Sequence, residues 1–393
     1  MWKTSLPLAC FLLLIAHRAA ALDAASRSNN QFCFALLSQS AGSKGNDIIS
    51  PFSIWSALAM TSAGAEGETL QQMRGVLALP AKGAHETVSG WTSRLRSAKG
   101  VKLHVANRLW AQQGLAFKAE FLKLAETRYG GGMQPLDFAG DVDGSRVQIN
   151  RWVSSNTEGK INDLLARGTI FPDTRLVLTN AVYFKGDWLS PFKASNTQER
   201  EFTLATGKKI EAPAMSGTFA AGYMDDDRLQ AVKLAYQGGQ TAMVVVLPRK
   251  ADALGKSEFL DASAFASVLA AMKQEKRVRV QMPKFEQSAK IELSKALSAL
   301  GMPRAFGGEA EFGLICEKPE LKISKVFHQA WVKVAEKGTE AAAATAVVMI
   351  PRSAAAPEPP AREFIADRPF LFFIVDERNG GIVFAGRVMD PRK

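Results

Sequence analysis

One peptide bond near the C-terminal end of the chain has neighbours that suit a protease substrate. Arg352 is followed by Ser353 and preceded by Ile350 and Pro351. A trypsin-like protease binds a long cationic side chain in a pocket with a buried acid, and proline keeps the residue before it extended. Cleavage also requires an exposed, extended loop. The sequence predicts cleavage between Arg352 and Ser353, with the bonds after Ile350 or Met349 as alternatives for other proteases.

The segment before this bond consists of small residues that suit a buried strand. Alternate side chains of an extended chain point to opposite faces. Overpacking a finished core costs roughly 1–3 kcal/mol per site, and burying an unpaired charge costs more. The inward face would consist of Thr339, Ala341, Ala343 and Thr345, and the outward face of Glu340, Ala342, Ala344 and Ala346. Because the only charge falls outward, the pattern predicts a strand that fits into an existing sheet.

The same composition is also compatible with an ordinary alanine-rich helix or linker, since alanine is the best helix former. The residues that follow favour a strand. Val347, Val348 and Ile350 are β-branched, and Pro351 would break a helix. We therefore interpret the segment as a potential strand that ends at a protease cleavage site.

Several blocks of the chain, in order from about residue 30 to residue 391, resemble the serpin family. The segment from Glu336 through Gly338 to residue 346, EKGTEAAAATA, is similar to the family's hinge motif. Arg352 stands where serpins place the residue on the acyl side of the cleaved bond. The other similar blocks are residues 46–73 (NDIISPFSIW and onward), 176–192 (LVLTNAVYFKGDWLSPF), 278–302 (VRVQMPKFEQ and onward), 321–340 (LKISKVFHQA and onward) and 364–391 (FIADRPFLFF and onward).

The resemblance implies a fold and a set of structural residues. The fold is α+β, with three β-sheets, about eight to nine helices and an exposed reactive-centre loop at about residues 336–362. Polar side chains beneath the central sheet would form the cluster called the shutter, with a tryptophan at the upper end of the same opening. These residues are Ser50, Ser53, Asn180, His328 and Trp188. As an alternative, Trp188 is core aromatic surface.

The resemblance also implies a function. A serpin of inhibitory type is a suicide substrate: a trypsin-like serine protease forms an acyl-enzyme at Arg352, and the cut loop inserts into the main sheet. The alternatives are a non-inhibitory serpin, such as a carrier or a chaperone, or an exported hydrolase. One departure from the family's pattern is the long segment rich in alanine and proline after Ser353, which leaves the cleaved bond less certain.

The residues themselves support an α+β arrangement in one large domain. Predicted strands come in clusters instead of alternating strictly with helices. They cover residues 102–112, 175–184, 241–248, 278–283, 328–336 and 369–377, and the predicted helices cover residues 147–160, 263–274 and 292–302. The 393-residue length alone would favour two domains. The interior has no linker rich in proline, glycine or serine, so we predict a single domain over residues 22–393.

The N-terminus has the pattern of a secretory signal peptide. A short positive start at Lys3 precedes an apolar run, and small residues follow at Ala19 and Ala21. The run is too short for a stable membrane span. We predict that residues 1–21 are removed and that the protein is secreted, or periplasmic in a bacterium. A membrane anchor or a buried first helix is the alternative.

Charge and cysteine content add weaker predictions. The net charge of +11 falls by two, to +9, when Lys3 and Arg18 leave with the signal peptide. A basic exported protein is a candidate for a sulfated polysaccharide or another polyanion as accelerator, although a solvated basic face without a partner is the plainer interpretation. The best local cluster consists of Arg94, Arg96, Lys99 and Lys102. Cys33 and Cys316 are predicted to be buried thiols.

The sequence does not favour an enzyme or a nucleic-acid-binding protein. It has no HExxH, no CxxC pair, no Gly-x-Ser-x-Gly and no phosphate loop, and no nucleic-acid motif accompanies the charge. The histidines beyond the signal peptide are His85, His104 and His328, and an apolar run around His328 suggests a hydrogen-bonded core residue. We predict no catalytic residue, no metal or other cofactor, no membrane partner and a monomer.

Overall fold

The computed structural model describes residues 23–39, 45–80, 82–255, 261–317, 321–339 and 360–393. The predicted signal peptide and the loop residues from Glu340 to Ser353 lie outside the described residues. The described helices are α1 Ala24–Gln39, α2 Pro51–Ser62, α3 Gly67–Leu77, α4 Ala84–Arg96, α5 Ala119–Tyr129, α6 Val142–Asn156, α7 Ala262–Ala271 and α8 Ser294–Ala299. None of these helices is long and apolar enough to cross a bilayer.

Six strands form the sheet that carries the predicted hinge. Their order within the described residues is β10-β11-β12-β4-β2-β3, and β11 also pairs directly with β4. The strands are β2 Val101–Gln112, β3 Met133–Leu136, β4 Leu176–Asp187, β10 Phe285–Glu292, β11 Lys325–Ala335 and β12 Gly338–Thr339. Nearly all of β4 is buried, as expected for a continuous apolar run that is covered on both faces.

The remaining strands form a second, nine-stranded sheet, ordered β1-β15-β14-β8-β7-β6-β9-β13 with β5 paired to β6. They are β1 Asp47–Ile49, β5 Gln198–Thr203, β6 Lys209–Asp225, β7 Leu229–Ala235, β8 Thr241–Pro248, β9 Lys273–Pro283, β13 Arg362–Ile365, β14 Phe370–Asp376 and β15 Gly381–Val388. The expected α+β fold is present. The described ladders join into two sheets where three were expected, because the 17-residue strand β6 pairs with β5, β9 and β7 in turn.

The core lies on both faces of the six-stranded sheet. The larger apolar cluster fills the space between that sheet, the nine-stranded sheet and the fully buried helix α2. A smaller cluster packs α6 and the chain after it against the opposite face of the six-stranded sheet. We call these the inner and the outer face. Ser50 caps α2, and Pro51 follows at the first helical position. Proline suits this position, because an N–H there would have no hydrogen-bond partner within the helix. This cap fixes the first turn of α2 beneath the sheet.

Candidate functional site

The centre of the six-stranded sheet has a seam where two strands distant in sequence meet. Strands β4 and β11 pair in parallel from Val177 opposite Lys325 to Tyr183 opposite Trp331. We call this paired stretch the lower seam. Above it the strands part, and the two residues of β12 lie between them, with Thr339 opposite Gly186 on β4 and Val334 on β11. We call this the upper seam.

A buried polar cluster lies on the inner face of the lower seam. Register places Asn107 of β2 opposite Asn180 of β4, which is in turn opposite His328 of β11. Ser50 and Ser53 reach the same place from the first turn of α2. All five residues are buried. The structure thus brings together the four residues assigned to the shutter by resemblance and adds Asn107.

Hydrogen bonds connect the whole polar cluster. The backbone N–H of Ser50 donates to His328 Nε2 at 3.1 Å, so Nδ1 carries the proton and donates to Asn180 Oδ1 at 2.5 Å. Asn180 Nδ2 donates to Ser53 Oγ at 2.6 Å and also to Asn107 Oδ1. Asn107 Nδ2 donates to the Ser53 carbonyl at 3.1 Å. Since each strand contributes one member, separation of β4 from β11 breaks the His328–Asn180 bond.

The state of His328 argues against a catalytic role. Burial lowers the pKa of His328 to about 3, against a weaker opposing effect of its hydrogen bond with Asn180. The ring is therefore neutral at physiological pH, and both its nitrogens are occupied by Ser50 and Asn180. A general base needs access to a proton on a substrate. His328 has no exposed surface, so its chemistry is structural.

The upper seam is held by aromatic side chains. Trp188 stacks on Tyr236 with ring centroids 4.6 Å apart, and its Nε1 donates to the Ala335 carbonyl at 3.0 Å. The hydroxyls of Tyr236 and Thr339 are 2.7 Å apart. Thr339 is completely buried, so its side chain points inward at the position where the alternation of small residues begins. Trp188 lies at the upper seam, as the resemblance implies.

The start of the hinge is fixed by charge and by close backbone approach. Glu336 accepts hydrogen bonds from Thr197 Oγ1 at 2.8 Å and from Lys284 Nζ at 3.1 Å. Burial alone would raise the pKa of Glu336, but these bonds and one from its own backbone N–H lower it. A Cβ at Gly338 would lie 2.1 Å from the Gly186 carbonyl oxygen, so only glycine fits there.

The remaining predicted residues divide into those described and those outside the description. Glu336, Gly338 and Thr339 of the hinge lie in the upper seam. The other predicted residues of the hinge and the reactive bond lie outside the described residues: Glu340, Ala341, Ala342, Ala343, Ala344, Thr345, Ile350, Pro351, Arg352 and Ser353. The thiols of Cys33 and Cys316 are buried, as expected, and no disulfide joins them.

One residue of the predicted basic cluster is paired with an acid. Arg94 Nη2 lies 3.6 Å from Asp23 Oδ2. Lys102 is on the outer face of the sheet, opposite Lys185. Binding of a polyanion stays a prediction.

Comparison with known proteins decides the family. The family model described as "Serpin (serine protease inhibitor)" matches residues 27–391. The chain belongs to the serpin family. An uncharacterized serpin-like protein of Thermococcus kodakarensis is 38% identical over 92% of this chain and 85% of its own length. The structure of this serpin is similar to that of the thermophilic serpin tengpin in its native state, with a TM-score of 0.84, 27% identity and coverage of 93% and 94%.

The structural neighbours also include a serpin that binds a hormone. Thyroxine-binding globulin in complex with thyroxine matches with a TM-score of 0.83, 25% identity and coverage of 93% of this chain and 99% of its own. The family therefore includes members that carry ligands, and the fold alone does not assign inhibition to this serpin.

Proposed function

We propose that this serpin is a secreted suicide-substrate inhibitor of trypsin-like serine proteases that is cleaved between Arg352 and Ser353. The observation that carries the proposal is the position of Thr339. It is the first of the small residues, and it is already seated between β4 and β11 with its side chain in the core. The next residues of the hinge need only continue along the strands that Thr339 separates.

Continuation of the same antiparallel register gives each following residue defined neighbours. Residue 340 falls opposite Lys185 and Lys333, which follow directly from the pairs of Thr339. Lys102 is opposite Lys185 on the same face. The carboxylate of Glu340 would therefore meet lysine side chains on the outer face. An acid at this position suits insertion, since its negative charge would lie between the positive charges of the lysines.

Five residues further along, the register brings Thr345 to the polar cluster. It would lie between Asn180 and His328 with its side chain on the inner face. Insertion removes the direct hydrogen bond between Asn180 and His328, and buried polar groups need replacement partners. A threonine hydroxyl both donates and accepts. Thr345 would therefore bridge the two side chains that insertion separates.

The proposed inhibition follows from the chemistry at Arg352. The protease serine attacks the Arg352 carbonyl, the bond to the Ser353 nitrogen breaks, and the acyl group stays on the protease. Insertion of about fifteen residues at ~3.3 Å each moves the attached protease about 50 Å, close to the diameter of a domain of this size. A millionfold slower deacylation corresponds to about 8 kcal/mol of lost transition-state stabilisation, which misplaced catalytic groups would account for.

A non-inhibitory carrier is the second candidate, since thyroxine-binding globulin is a structural neighbour. Two cavities lined by described residues have volumes of about 110 and 260 Å³ and are partly lined by charged or amide side chains. Pockets for drug-sized ligands usually measure about 300–1,000 Å³. Neither of these two cavities reaches that size, and the small hinge residues favour inhibition. A hydrolase is less favoured, because His328 is neutral and enclosed.

Incubation with trypsin tests the proposal. The intact protein should form an adduct that survives boiling in detergent, and Arg352→Ala should form none with trypsin. Thr339→Arg or Ala341→Glu should be cleaved without an adduct, because either change puts a charge on the inward face. Ala342→Glu is the matched control, because it adds the same charge on the outward face, and it should keep the adduct. Clean cleavage of the wild type would exclude inhibition, and turnover of an added peptide would indicate an enzyme.

Two further measurements test the remaining parts of the proposal. Insertion predicts that the cleaved protein melts at a higher temperature than the intact one; equal melting temperatures would contradict it. Secretion predicts that the exported protein begins near residue 22. Retention of residues 1–21 on a membrane-bound product would instead support an anchor.

A further inference from the structure

Three lysine side chains form a row across the outer face of the six-stranded sheet, next to the upper seam. Lys102 of β2 is directly opposite Lys185 of β4. Lys333 of β11 lies at the same level, because the residues that follow Lys185 and Lys333 are both paired with Thr339 of β12. We call these three residues the lysine row. The smaller apolar cluster covers the same face further down the sheet, whereas Lys102 and Lys333 are exposed.

The lysine row has positive charges that face each other. Like charges directly opposite on adjacent strands destabilise a sheet. Among the residues that the structure describes, no carboxylate lies within 4.0 Å of the Nζ atoms of Lys102 and Lys185. Lys333 Nζ lies 2.9 Å from Glu286 Oε2, but both side chains are 49% exposed, and such exposed pairs are weak. Lys102 and Lys185 therefore lie side by side without a paired acid.

The acids above and below the row do not neutralise it. Below the row, Glu158 Oε1 is 3.2 Å from His104 Nε2, so this carboxylate is already paired. Above the row, Asp187 is two residues beyond Lys185 on the same face of β4 and is exposed to solvent. Its carboxylate forms no ion pair with any described residue. The uncut sheet thus carries a positive surface that an anion from solution could balance.

The strands separate at the level of the row. Strands β4 and β11 are directly paired as far as Tyr183 and Trp331, and β12 lies between them at Thr339. Their separation therefore grows from one strand spacing to two, from ~4.8 Å to about 10 Å. Lys185 and Lys333 lie on the two sides of this opening, and Lys102 is beside Lys185 on the next strand.

We propose that the lysine row binds a compact tetrahedral dianion, a sulfate or phosphate group, in the uncut protein. The ammonium group of lysine is a point charge with three donors on a flexible stem, so it suits an anion that has oxygens on all sides. Lys185 and Lys333 contact the group from the two sides of the opening, and Lys102 reaches it from β2. The bound group offsets the repulsion between Lys102 and Lys185.

An anion on the lysine row would slow insertion, and this part of the inference rests on the proposed function. The register places residue 340 between Lys185 and Lys333, so Glu340 and the anion need the same two lysines. While the strand waits, water hydrolyses the ester at Arg352, which frees the protease serine and leaves a carboxylate on Arg352. The anion therefore opposes inhibition, whereas a polyanion accelerator would promote it.

Binding is tested on the intact, full-length protein without a protease. Sodium sulfate and sodium phosphate are the probes, each compared with sodium chloride at equal ionic strength. The backbone amide resonances of Lys102, Lys185 and Lys333 report binding, and we expect saturable shifts with both probes and none with chloride. The double variant Lys102→Gln, Lys185→Gln should bind about tenfold more weakly, since two exposed charge contacts together correspond to roughly that factor.

The matched control removes two lysines from the other sheet. Lys273→Gln, Lys276→Gln changes two exposed residues of β9 and should bind both anions as the wild type does. The absence of saturable shifts at the lysine row, or equal affinity in the two double variants, overturns the site. If the variant of Lys102 and Lys185 unfolds, its amide resonances lose their dispersion throughout, and Lys102→Gln alone then decides, because this side chain is exposed.

A sulfated disaccharide is the third probe and identifies the source of the anion. Tighter binding of the disaccharide than of inorganic sulfate would assign the site to a sugar sulfate. Tightest binding of inorganic phosphate would assign it to a phosphate group. Both results support the site.

Incubation with trypsin then tests the competition separately. For the wild type, sulfate should increase the amount of cleaved, free serpin relative to the adduct, compared with chloride at equal ionic strength. The variant Lys102→Gln, Lys185→Gln should lose this response. If sulfate binds at the lysine row but leaves the ratio unchanged, the competition is wrong and the site stands. If no adduct forms under any condition while the row binds sulfate, the site stands and inhibition is wrong.

Discussion

The lower and the upper seam of one sheet are built on opposite principles. In the lower seam β4 and β11 pair directly, and a buried, hydrogen-bonded polar cluster ties them to β2 and α2. In the upper seam, as far as the described residues extend, the two residues of β12 lie between the same strands. The contacts there include the Trp188–Tyr236 stack, the hydroxyl pair of Tyr236 with Thr339, and an ion pair of Lys284 with Glu336, whose side chains remain 36% and 16% exposed.

This difference implies that β4 and β11 separate progressively from the upper seam towards the lower seam. A strand that enters after Thr339 meets, in order, the level of Lys185 and Lys333, then the level of Tyr183 and Trp331, and last the polar cluster at Asn180. The free-energy cost of separating the strands rises along this path, because exposed charged side chains come first and buried hydrogen bonds come last. Strands β4 and β11 are therefore already apart in the upper seam, where separating them costs least free energy. They are held most strongly at the polar cluster, which an entering strand reaches last.

The largest expected effect is at the polar cluster. Asn180→Ala leaves the Nδ1 proton of His328, Ser53 Oγ and Asn107 Oδ1 with fewer partners in a buried site. Each unsatisfied buried group costs about 1–3 kcal/mol, so we expect a loss of about 3 kcal/mol or more in the free energy of unfolding. Urea unfolding measures it. Asn156→Ala, at an exposed helix end, is the control, and an Asn180→Ala midpoint equal to that control would refute a special role for the lower seam.

The next effect is a pH dependence that His328 gives to the lower seam. The pKa of His328 is about 3 in the folded protein against an ordinary 6.5. Between these values the unfolded chain binds a proton that the folded protein does not, so the stability from the neutral ring is complete above about pH 6.5 and is lost as the pH falls. From about pH 7 to about pH 5 we expect a loss of about 2 kcal/mol.

Urea unfolding as a function of pH checks this effect, with His328→Gln as the matched variant. The variant should be less stable at neutral pH but should lose the part of the acid sensitivity that comes from His328. Equal pH slopes for the wild type and the variant would show that other groups cause the dependence.

The sequence predicted the strands better than the partners of the site. The run at residues 241–248 has the bounds of β8, because its residues are apolar and β-branched throughout. The predicted helix at residues 147–160 is α6, which begins at Val142 because Asp141 caps it and ends at Asn156 before the left-handed turn. The strand β10 was missed, since its polar residues alternate on the outer face.

The site residues that were missed show why long-range partners are harder to predict. Asn107 pairs with Asn180 from 73 positions away, and the signal was a lone asparagine among the apolar inward-facing residues of β2. Tyr236 pairs with Thr339 from 103 positions away, and nothing local marks it. Strand register decides both contacts, and register depends on the whole sheet. Family resemblance supplied Ser50, Ser53 and His328, which composition and spacing did not.

The smallest effect is expected in the upper seam, at Tyr236. Tyr236→Phe removes the hydroxyl that pairs with Thr339 Oγ1 at 2.7 Å and keeps the ring that stacks on Trp188. A neutral hydrogen bond contributes about 1 kcal/mol, so the Thr339 amide should exchange about fivefold faster while global stability changes little. Thr339→Val removes the other hydroxyl at nearly constant volume. If the double variant exchanges as fast as either single variant, the two hydroxyls act as one bond; additive effects would mean that each has another partner, and the upper seam would then be held more firmly than the comparison with the lower seam allows.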